Sequence, residues 1–169
     1  MGIMRYRLNK KTLLSLALVL AAFLIIRFLS VQEIRGQVVS IQDGDTITVL
    51  QGGSTYRVRL QGVDCPEKGQ AFGNVAKQFT SDLVFGKTVK VKYEERDQYK
   101  RYLGTVYLGD VNLNKSLVQA GLAWHYKQYS KDPVLAALEV KARLDKKGLW
   151  SDPKPIPPWD YRRQPREKT

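Results

Sequence analysis

Arginine and carboxylate side chains lie close together in the segment from Arg59 to Glu67, which reads Arg-Leu-Gln-Gly-Val-Asp-Cys-Pro-Glu. The alternation of a β-strand places Arg59, Val63 and Glu67 on one face. Asp64 lies where the strand must end, just before Pro66. A guanidinium binds phosphate through paired N–H groups, and carboxylates suit a hard cation or a general base. The segment therefore carries the groups for phosphate-ester chemistry, although a polar strand end with a surface salt bridge has the same residues.

Histidine and cysteine are almost absent from this 169-residue chain, which has one of each, His125 and Cys65. A single cysteine excludes an internal disulfide and a cysteine-based zinc site, and a single histidine excludes a histidine metal cluster. We expect His125 to be a non-catalytic strand residue, and Trp124 and Trp150 to be packing aromatics. The chemistry must therefore depend on carboxylates, arginines and a metal that prefers oxygen ligands.

The net charge of +12 is concentrated in the two ends of the chain. Residues 1–30 carry +5, residues 153–169 carry +3 and the long middle, residues 31–152, carries only +4. A basic surplus favours a polyanionic partner such as a nucleic acid. Here the middle is only mildly basic, and its acidic cluster could itself attract a cation.

An apolar run near the N-terminus extends without a charge over residues 12–26 and, past Arg27, to Val31. A membrane-spanning helix needs about 20 residues, whereas the core of a signal peptide has about 7–15. No small-x-small cleavage site follows, which favours a retained anchor at 12–31 over a cleaved signal and a secreted product. Four bases precede the run, so residues 1–11 are expected to be cytoplasmic and the remainder extracytoplasmic, periplasmic or extracellular.

Periodicity in the rest of the chain predicts an α+β domain over residues 36–152. The predicted strands are 37–41, 46–50, 55–63, 88–93 and 102–108, and the predicted helices are 72–84, 111–120 and 133–147. Five strands and three helices favour the five-stranded OB-fold β-barrel, which commonly binds oligonucleotides on one face. The basic, proline-rich tail, residues 153–169, is expected to lie extended on the surface.

Several motifs of the domain resemble, in order and spacing, the staphylococcal nuclease (thermonuclease) family. They are Asp43-Gly44-Asp45-Thr46, Arg59-x4-Asp64-x-Pro66-Glu67, Asp97-x-Tyr99-x-Arg101, the segment from Leu117 to Ala123 and Lys147-Gly148-Leu149-Trp150. The tail from Ile156 to Arg162 looks like one common in bacterial members of the family. The resemblance covers about residues 36–163 and leaves the apolar N-terminal run outside.

This resemblance implies an OB-fold barrel and a calcium-dependent phosphodiesterase that acts on DNA and RNA, leaving 3′-phosphates. Single-stranded substrates and a monomer are expected. The resemblance also implies a set of site residues: the calcium ligands Asp45, Asp64 and the main-chain carbonyl of Cys65, the general base Glu67, and the phosphate-binding Arg59 and Arg101.

The chain departs from the family pattern at a few positions. Cys65 replaces the usual threonine, which a main-chain carbonyl ligand tolerates. Lys100 stands where a glycine commonly precedes the second arginine, which puts the shape of that loop in question. The aromatic pair beyond the second helix is incomplete, since Tyr129 matches one member and Lys127 stands near the other.

Two other functions are compatible with the sequence. A barrel that binds nucleic acid without cleaving it would keep the fold, but such members usually lose the arginine and glutamate residues retained here. A scaffold that holds other envelope proteins through its anchor and its Pro-Trp tail would show no affinity for nucleic acid.

Overall fold

The computed structural model describes residues 9–30 and 32–164, and the side chains of these residues other than 24–30. The described chain forms two compact units, one up to Gln32 and one from Glu33 onward. The ends of the predicted N-terminal and C-terminal segments, residues 1–8 and 165–169, lie outside the described residues, as does Val31.

The first unit contains one helix, α1, from Lys10 to Ser30. The prediction of a helix in the apolar run is therefore confirmed. Over residues 9–30 and 32–164, however, no helix combines the length and the apolar character needed to cross a membrane. The predicted membrane anchor is not supported by this finding.

The second unit is built on a closed five-stranded barrel, as the sequence predicts. Its strands are β1 (Gln32–Ile41), β2 (Thr46–Gln51), β3 (Ser54–Leu60), β5 (Thr88–Arg96) and β6 (Tyr102–Leu108), and three two-residue strands accompany them: β4 (Val63–Asp64), β7 (Val111–Asn112) and β8 (Trp124–His125). Antiparallel pairs join β1 to β2, β2 to β3 and β5 to β6, β1 lies beside β5, and β3 closes the barrel by a parallel pairing with β6. This α+β architecture is consistent with the OB-fold.

The barrel interior is filled by the inward-facing residues of the alternating strands. The fully buried apolar side chains of the strands include Ile34, Val38, Ile47, Val49, Val58, Leu60, Val89, Val91 and Val106. Because successive strand residues face opposite sides, the intervening polar residues face outward. The pattern that predicted the strands is thus the pattern that fills the core.

The predicted third strand, 55–63, is wrong at its end. β3 stops at Leu60, and a turn separates it from β4, which pairs with β8 instead. Gly62 has a φ of 75°, and a Cβ there would lie about 3.0 Å from side-chain atoms of Leu135 and Ser130. The turn therefore breaks the alternation, and Glu67 lies in a loop rather than on the face of Arg59.

Helices lie between and after the strands of the barrel. They are α2 (Gly73–Val84), α3 (Leu113–Gln119), α4 (Pro133–Leu144), a 3₁₀ turn (Gly148–Ser151) and α5 (Pro158–Tyr161). The predicted helix at 111–120 begins later because Val111 and Asn112 pair with β6, and Oδ1 of Asn112 then caps α3 by accepting from the N–H of Lys115 at 3.0 Å. The predicted helix at 133–147 likewise ends earlier, at Leu144.

The predicted extended tail is wrong over residues 158–161, where a helical turn forms, and residues 165–169 lie outside the described residues. Its α5 turn places Trp159 against Trp124 and Tyr126, with ring centroids 5.4 Å and 5.2 Å away. Pro158 is buried beside them. Aromatic packing between residues far apart in the sequence holds the tail on the domain.

Candidate active site

Arg59 lies at the end of β3 and holds the turn that follows. Its Nη1 donates to the main-chain carbonyls of Leu60 at 2.9 Å and Val63 at 2.8 Å. Only 12% of the side chain is exposed. The guanidinium is thereby fixed between β3 and the start of β4. Its Nε and Nη2 groups face the carboxylates of Asp45 and Asp64.

Two buried carboxylates flank that guanidinium. Oδ1 of Asp45 lies 3.2 Å from Nε of Arg59, and Oδ1 of Asp64 lies 2.6 Å from Nη2. Burial raises the pKa of Asp45 to about 7; Arg59 opposes the rise, and the carboxylates of Asp43 and Asp64 add to it. Burial also raises the pKa of Asp64. The ionised forms of buried, neighbouring carboxylates repel each other, and a nearby positive charge stabilises them. This pair would therefore be stabilised by a cation in addition to Arg59.

The turn before β2 positions Asp45. Oδ1 of Asp43 accepts from the N–H of Asp45 at 3.1 Å, so Asp43 has the turn role that the Asp-Gly pair predicts. Gly44 is closely packed, because a Cβ there would lie 2.8 Å from Sγ of Cys65. From α2, Oγ1 of Thr80 donates to the carbonyl of Gly44 at 2.6 Å. The turn is thus pressed against the end of β4.

Cys65 joins the two carboxylate-bearing segments through its main chain. Its N–H donates to Oδ2 of Asp45 at 2.6 Å. The thiol is buried, and burial raises its pKa well above the ordinary value. It is therefore protonated near neutral pH and is unsuited to nucleophilic attack.

Glu67 lies in the loop between β4 and α2. Its N–H donates to Oε1 of Gln70 at 2.9 Å, and its carbonyl accepts from the N–H of Gln70 at 3.0 Å. A Cβ on Gly73 would collide with that carbonyl, so the glycine lets the helix begin close to the loop. With 30% of its side chain exposed, the Glu67 carboxylate is open to water.

Arg162, in the C-terminal tail, contacts the carboxylates of Asp64 and Glu67. Its Nη2 lies 2.9 Å from Oδ2 of Asp64, its Nη1 lies 2.6 Å from Oε1 of Glu67 and a longer contact of 3.3 Å joins Nη1 to Oδ1 of Asp64. Partial burial works against its charge, but the hydrogen bonds to both carboxylates raise the pKa of Arg162. One guanidinium thus bridges a predicted metal ligand and the predicted general base.

Sequence reasoning missed Arg162. The contact with Asp64 spans 98 residues of chain and depends on where Trp159 packs. The one signal in the sequence was the run Pro-Pro-Trp-Asp-Tyr-Arg, in which prolines and an aromatic residue precede the arginine. Such a run indicates a packed tail better than a solvated one.

Arg101 lies in the loop before β6 and is held by Asp97. Oδ2 of Asp97 accepts from Nε and Nη2 of Arg101, both at 2.7 Å, and its Oδ1 accepts from the N–H groups of Tyr99 and Arg101. Burial acts to raise the pKa of Asp97, but this set of bonds outweighs burial and lowers that pKa. Lys100 adopts the left-handed φ of 62° that a glycine would take, so the loop keeps its turn.

The structure therefore brings together five of the six predicted site residues: Arg59, Asp45, Asp64, Cys65 and Glu67. Within the described residues, the hydrogen bonds and ion pair of the Arg101 side chain go to Asp97 and not to these five. Arg101 lies just before Tyr102, which pairs with Val58 of β3, so it belongs to the same end of neighbouring strands.

The donor set of this cluster fits a hard cation under two conditions. Asp45 and Asp64 supply carboxylate oxygens, the ligands that calcium prefers. Among the described residues, no group of three or more His, Cys, Asp or Glu side chains is placed to hold a metal, so any cation here needs main-chain oxygen or water as well. Because Oδ2 of Asp64 accepts from Arg162, a cation that uses this oxygen requires that arginine to move.

The aromatic residues near the site are largely engaged in packing. Trp124 and Trp150 lie edge to face at 4.4 Å, which confirms their predicted packing role. His125 lies on β8, as expected for a strand residue, and is buried.

Lys127 forms an ion pair of 2.8 Å with the buried Glu139. Sequence position alone did not indicate that pair.

Comparison with known proteins agrees with this geometry. The family described as staphylococcal nuclease homologue matches residues 57–152. An Escherichia coli O157:H7 protein named uncharacterized endonuclease is 49% identical over 131 residues, which are 77% of this chain and 86% of that protein.

Two further relatives cover more of the chain. A Haemophilus influenzae protein, also named uncharacterized endonuclease, is 41% identical over 93% of this chain and 88% of its own length. A Shigella flexneri protein named micrococcal nuclease is 43% identical over 90% of this chain and 94% of its own. The chain belongs to the staphylococcal nuclease family.

Proposed function

We propose that this chain hydrolyses phosphodiester bonds in single-stranded DNA and RNA with calcium as its cofactor. The observation that carries the proposal is the guanidinium of Arg59 held between the buried carboxylates of Asp45 and Asp64. Membership of the nuclease family and relatives named as nucleases support the same reaction.

In this proposal Asp45 and Asp64 hold the metal, together with the main-chain carbonyl of Cys65. Calcium, when bound, would supply positive charge that polarises a phosphoryl oxygen and orients the substrate. The buried carboxyls support such a role, because ionising Asp45 in the metal-free chain is already opposed by burial and by neighbouring acids.

The protein's own groups account for the remaining steps. Arg59 and Arg101 would donate N–H groups to the phosphoryl oxygens as negative charge builds up, and losing one such donor typically costs about 10²–10³ in rate. Glu67 would take a proton from the attacking water, an effect of about 10²–10⁴. The water oxygen bonds to phosphorus, the bond to the 5′ oxygen breaks with protonation of that oxygen, and a 3′-phosphate remains.

The proposal is tested by incubating the purified full chain with single-stranded DNA in calcium or in chelator. We expect degradation that needs calcium and falls by about 10²–10⁴ in Glu67→Gln, since glutamine accepts no proton from water. Glu95→Gln, an exposed glutamate on β5, is the matched control and should keep full activity.

Full activity in Glu67→Gln, or cleavage unaffected by chelator, would contradict the proposed mechanism. Tight binding of DNA without any cleavage would instead favour the non-catalytic binding barrel. Products that carry 5′-phosphates would overturn the proposed choice of leaving group.

For location we propose that the chain works outside the cytoplasm. The support lies in the sequence, where four bases precede an apolar run at residues 12–26. N-terminal sequencing of the mature protein distinguishes a retained N-terminal segment from a cleaved one. Recovery of an uncleaved chain from the cytosol would contradict the proposed location.

A further inference from the structure

The C-terminal tail provides a cation to the carboxylates of the proposed metal site. Nη2 of Arg162 lies 2.9 Å from Oδ2 of Asp64, whose side chain is 1% exposed, and Nη1 lies 2.6 Å from Oε1 of Glu67. Oδ1 of Asp64 is already shared between Arg59 and Arg162. In the described structure both oxygens of Asp64 are therefore bonded to guanidinium groups.

This arrangement does not depend on the ion pairs alone. Trp159, three residues earlier, stacks on Tyr126 with an interplanar angle of 4°. Nε2 of Gln70 donates to the carbonyl of Ile156 at 2.6 Å, which joins the tail to the loop that carries Glu67. Packing of the tail thus delivers Arg162 to the site, with much of its conformational entropy already lost.

The tail lies outside the part of the chain that the family matches, since the match ends at residue 152. Arg162 is ten positions beyond that end. Its contacts with Asp64 and Glu67 are therefore made by a segment that lies beyond the matched domain.

A guanidinium and a divalent cation compete for the same carboxylate oxygens, because each is stabilised by the same negative charge. We propose that Arg162 is an internal competitor of the metal: it occupies the Asp64–Glu67 carboxylate pair in the metal-free chain and must leave Asp64 before a divalent cation binds there. The inference rests on the proposed function in one respect, that the cation uses Asp64. Its consequence is that the tail sets the metal concentration at which the site is filled.

The test is calorimetric titration of calcium chloride into the full chain and into Arg162→Gln. Removing the competitor should lower the calcium dissociation constant by about tenfold. This factor corresponds to the free energy of one charge-assisted hydrogen bond at a partly exposed site. Arg163→Gln is the matched control, because Arg163 is exposed and faces Asp160 at 3.5 Å. Its dissociation constant should stay within about twofold of the parent, since it makes the same change of net charge without touching Asp64.

A dissociation constant that is unchanged or higher in Arg162→Gln overturns the proposal and leaves the nuclease function intact. Calcium binding by the variant but not by the parent supports it. Absence of calcium binding in both chains overturns it together with the metal part of the proposed function.

Thermal unfolding is a second readout that does not depend on activity. A ligand stabilises the native state by an amount that grows with the logarithm of its concentration divided by its dissociation constant. The same calcium concentration, in excess of both dissociation constants, should therefore raise the melting temperature of Arg162→Gln more than that of the parent. An equal rise in both chains contradicts the proposal.

Discussion

The main-chain N–H of Cys65 donates a 2.6 Å hydrogen bond to Oδ2 of Asp45. These residues are 20 positions apart, and the bond joins the turn before β2 to the end of β4. Even with this bond and with Arg59 nearby, burial raises the pKa of Asp45 to about 7. The carboxyl of Asp45 therefore keeps its proton to a higher pH in the metal-free fold than an aspartate in water does.

A pH dependence of stability follows from the raised pKa of Asp45. The folded chain holds this proton more tightly than the unfolded chain, whose value is near 3.8. The stabilising contribution is thus full below about pH 4 and is lost as the pH rises to about 7. Relative to Asp45→Asn, the free energy of unfolding of the parent should fall over this range, by an amount on the order of a few kcal/mol.

Denaturant unfolding in chelator, at several values of pH between 4 and 8, measures this difference. Asparagine does not titrate and keeps an oxygen that accepts from the N–H of Cys65, so the variant is a suitable reference. A difference between parent and variant that is independent of pH would show that Asp45 titrates near its ordinary value.

Removing Arg59 should destabilise the fold strongly. Arg59→Met leaves the buried carboxylate of Asp45 without its guanidinium partner and releases the carbonyls of Leu60 and Val63. Breaking a buried ion pair by removing one partner costs about 3–5 kcal/mol. Urea unfolding at pH 7 measures the loss.

Arg57→Met is the control for this prediction. Arg57 is exposed on the same strand, and surface substitutions usually change stability by no more than about 0.5 kcal/mol. Equal losses in the two variants would mean that the burial of Arg59 between carboxylates has no energetic consequence.

Much of the fold was accessible from the sequence because it follows local alternation. The strand at Tyr102–Leu108 has the predicted bounds, and Thr46–Gln51 differs by one residue. The turn at Gly62 was not accessible, since it depends on close packing against Leu135 and on the pairing of β4 with β8. Local periodicity does not report such tertiary contacts.

The candidate site shows the same division. The family motifs identify Asp45, Arg59 and Asp64, because the order and spacing of these residues along the chain resemble the family pattern. Arg162 could not be predicted, because its position depends on the stacking of Trp159 on Tyr126 across the fold. Residues brought in by tertiary packing of a tail leave no spacing signature near the site.

Asp97 and Arg101 should act as one unit in catalysis. Arg101→Gln is expected to lower kcat by about 10²–10³, the effect of losing a phosphate donor. Asp97→Asn weakens the bonds that hold the Arg101 guanidinium, so it should also lower kcat. Because both changes remove the same positioned donor, the double variant should lose no more than Arg101→Gln alone.

Steady-state cleavage of single-stranded DNA by the parent, the two single variants and the double variant completes this cycle. Losses that multiply in the double variant would show that Asp97 acts on the reaction independently of Arg101. Exchange of Asp110, an exposed acid in the turn after β6, for Asn is the control and should leave kcat unchanged.

Trp159 should control both the stability of the domain and the metal affinity of its site. Trp159→Ala removes the stacking on Tyr126 and the contact with Trp124, at a cost of about 1–3 kcal/mol for a partly buried aromatic residue. The tail that carries Arg162 is then less well fixed, so calcium should bind more tightly, as in Arg162→Gln. Urea unfolding and calorimetric titration measure the two effects. Tyr129→Ala is the control, because it removes another ring from Tyr126 without touching the tail, and tighter calcium binding in that variant would refute the connection to Arg162.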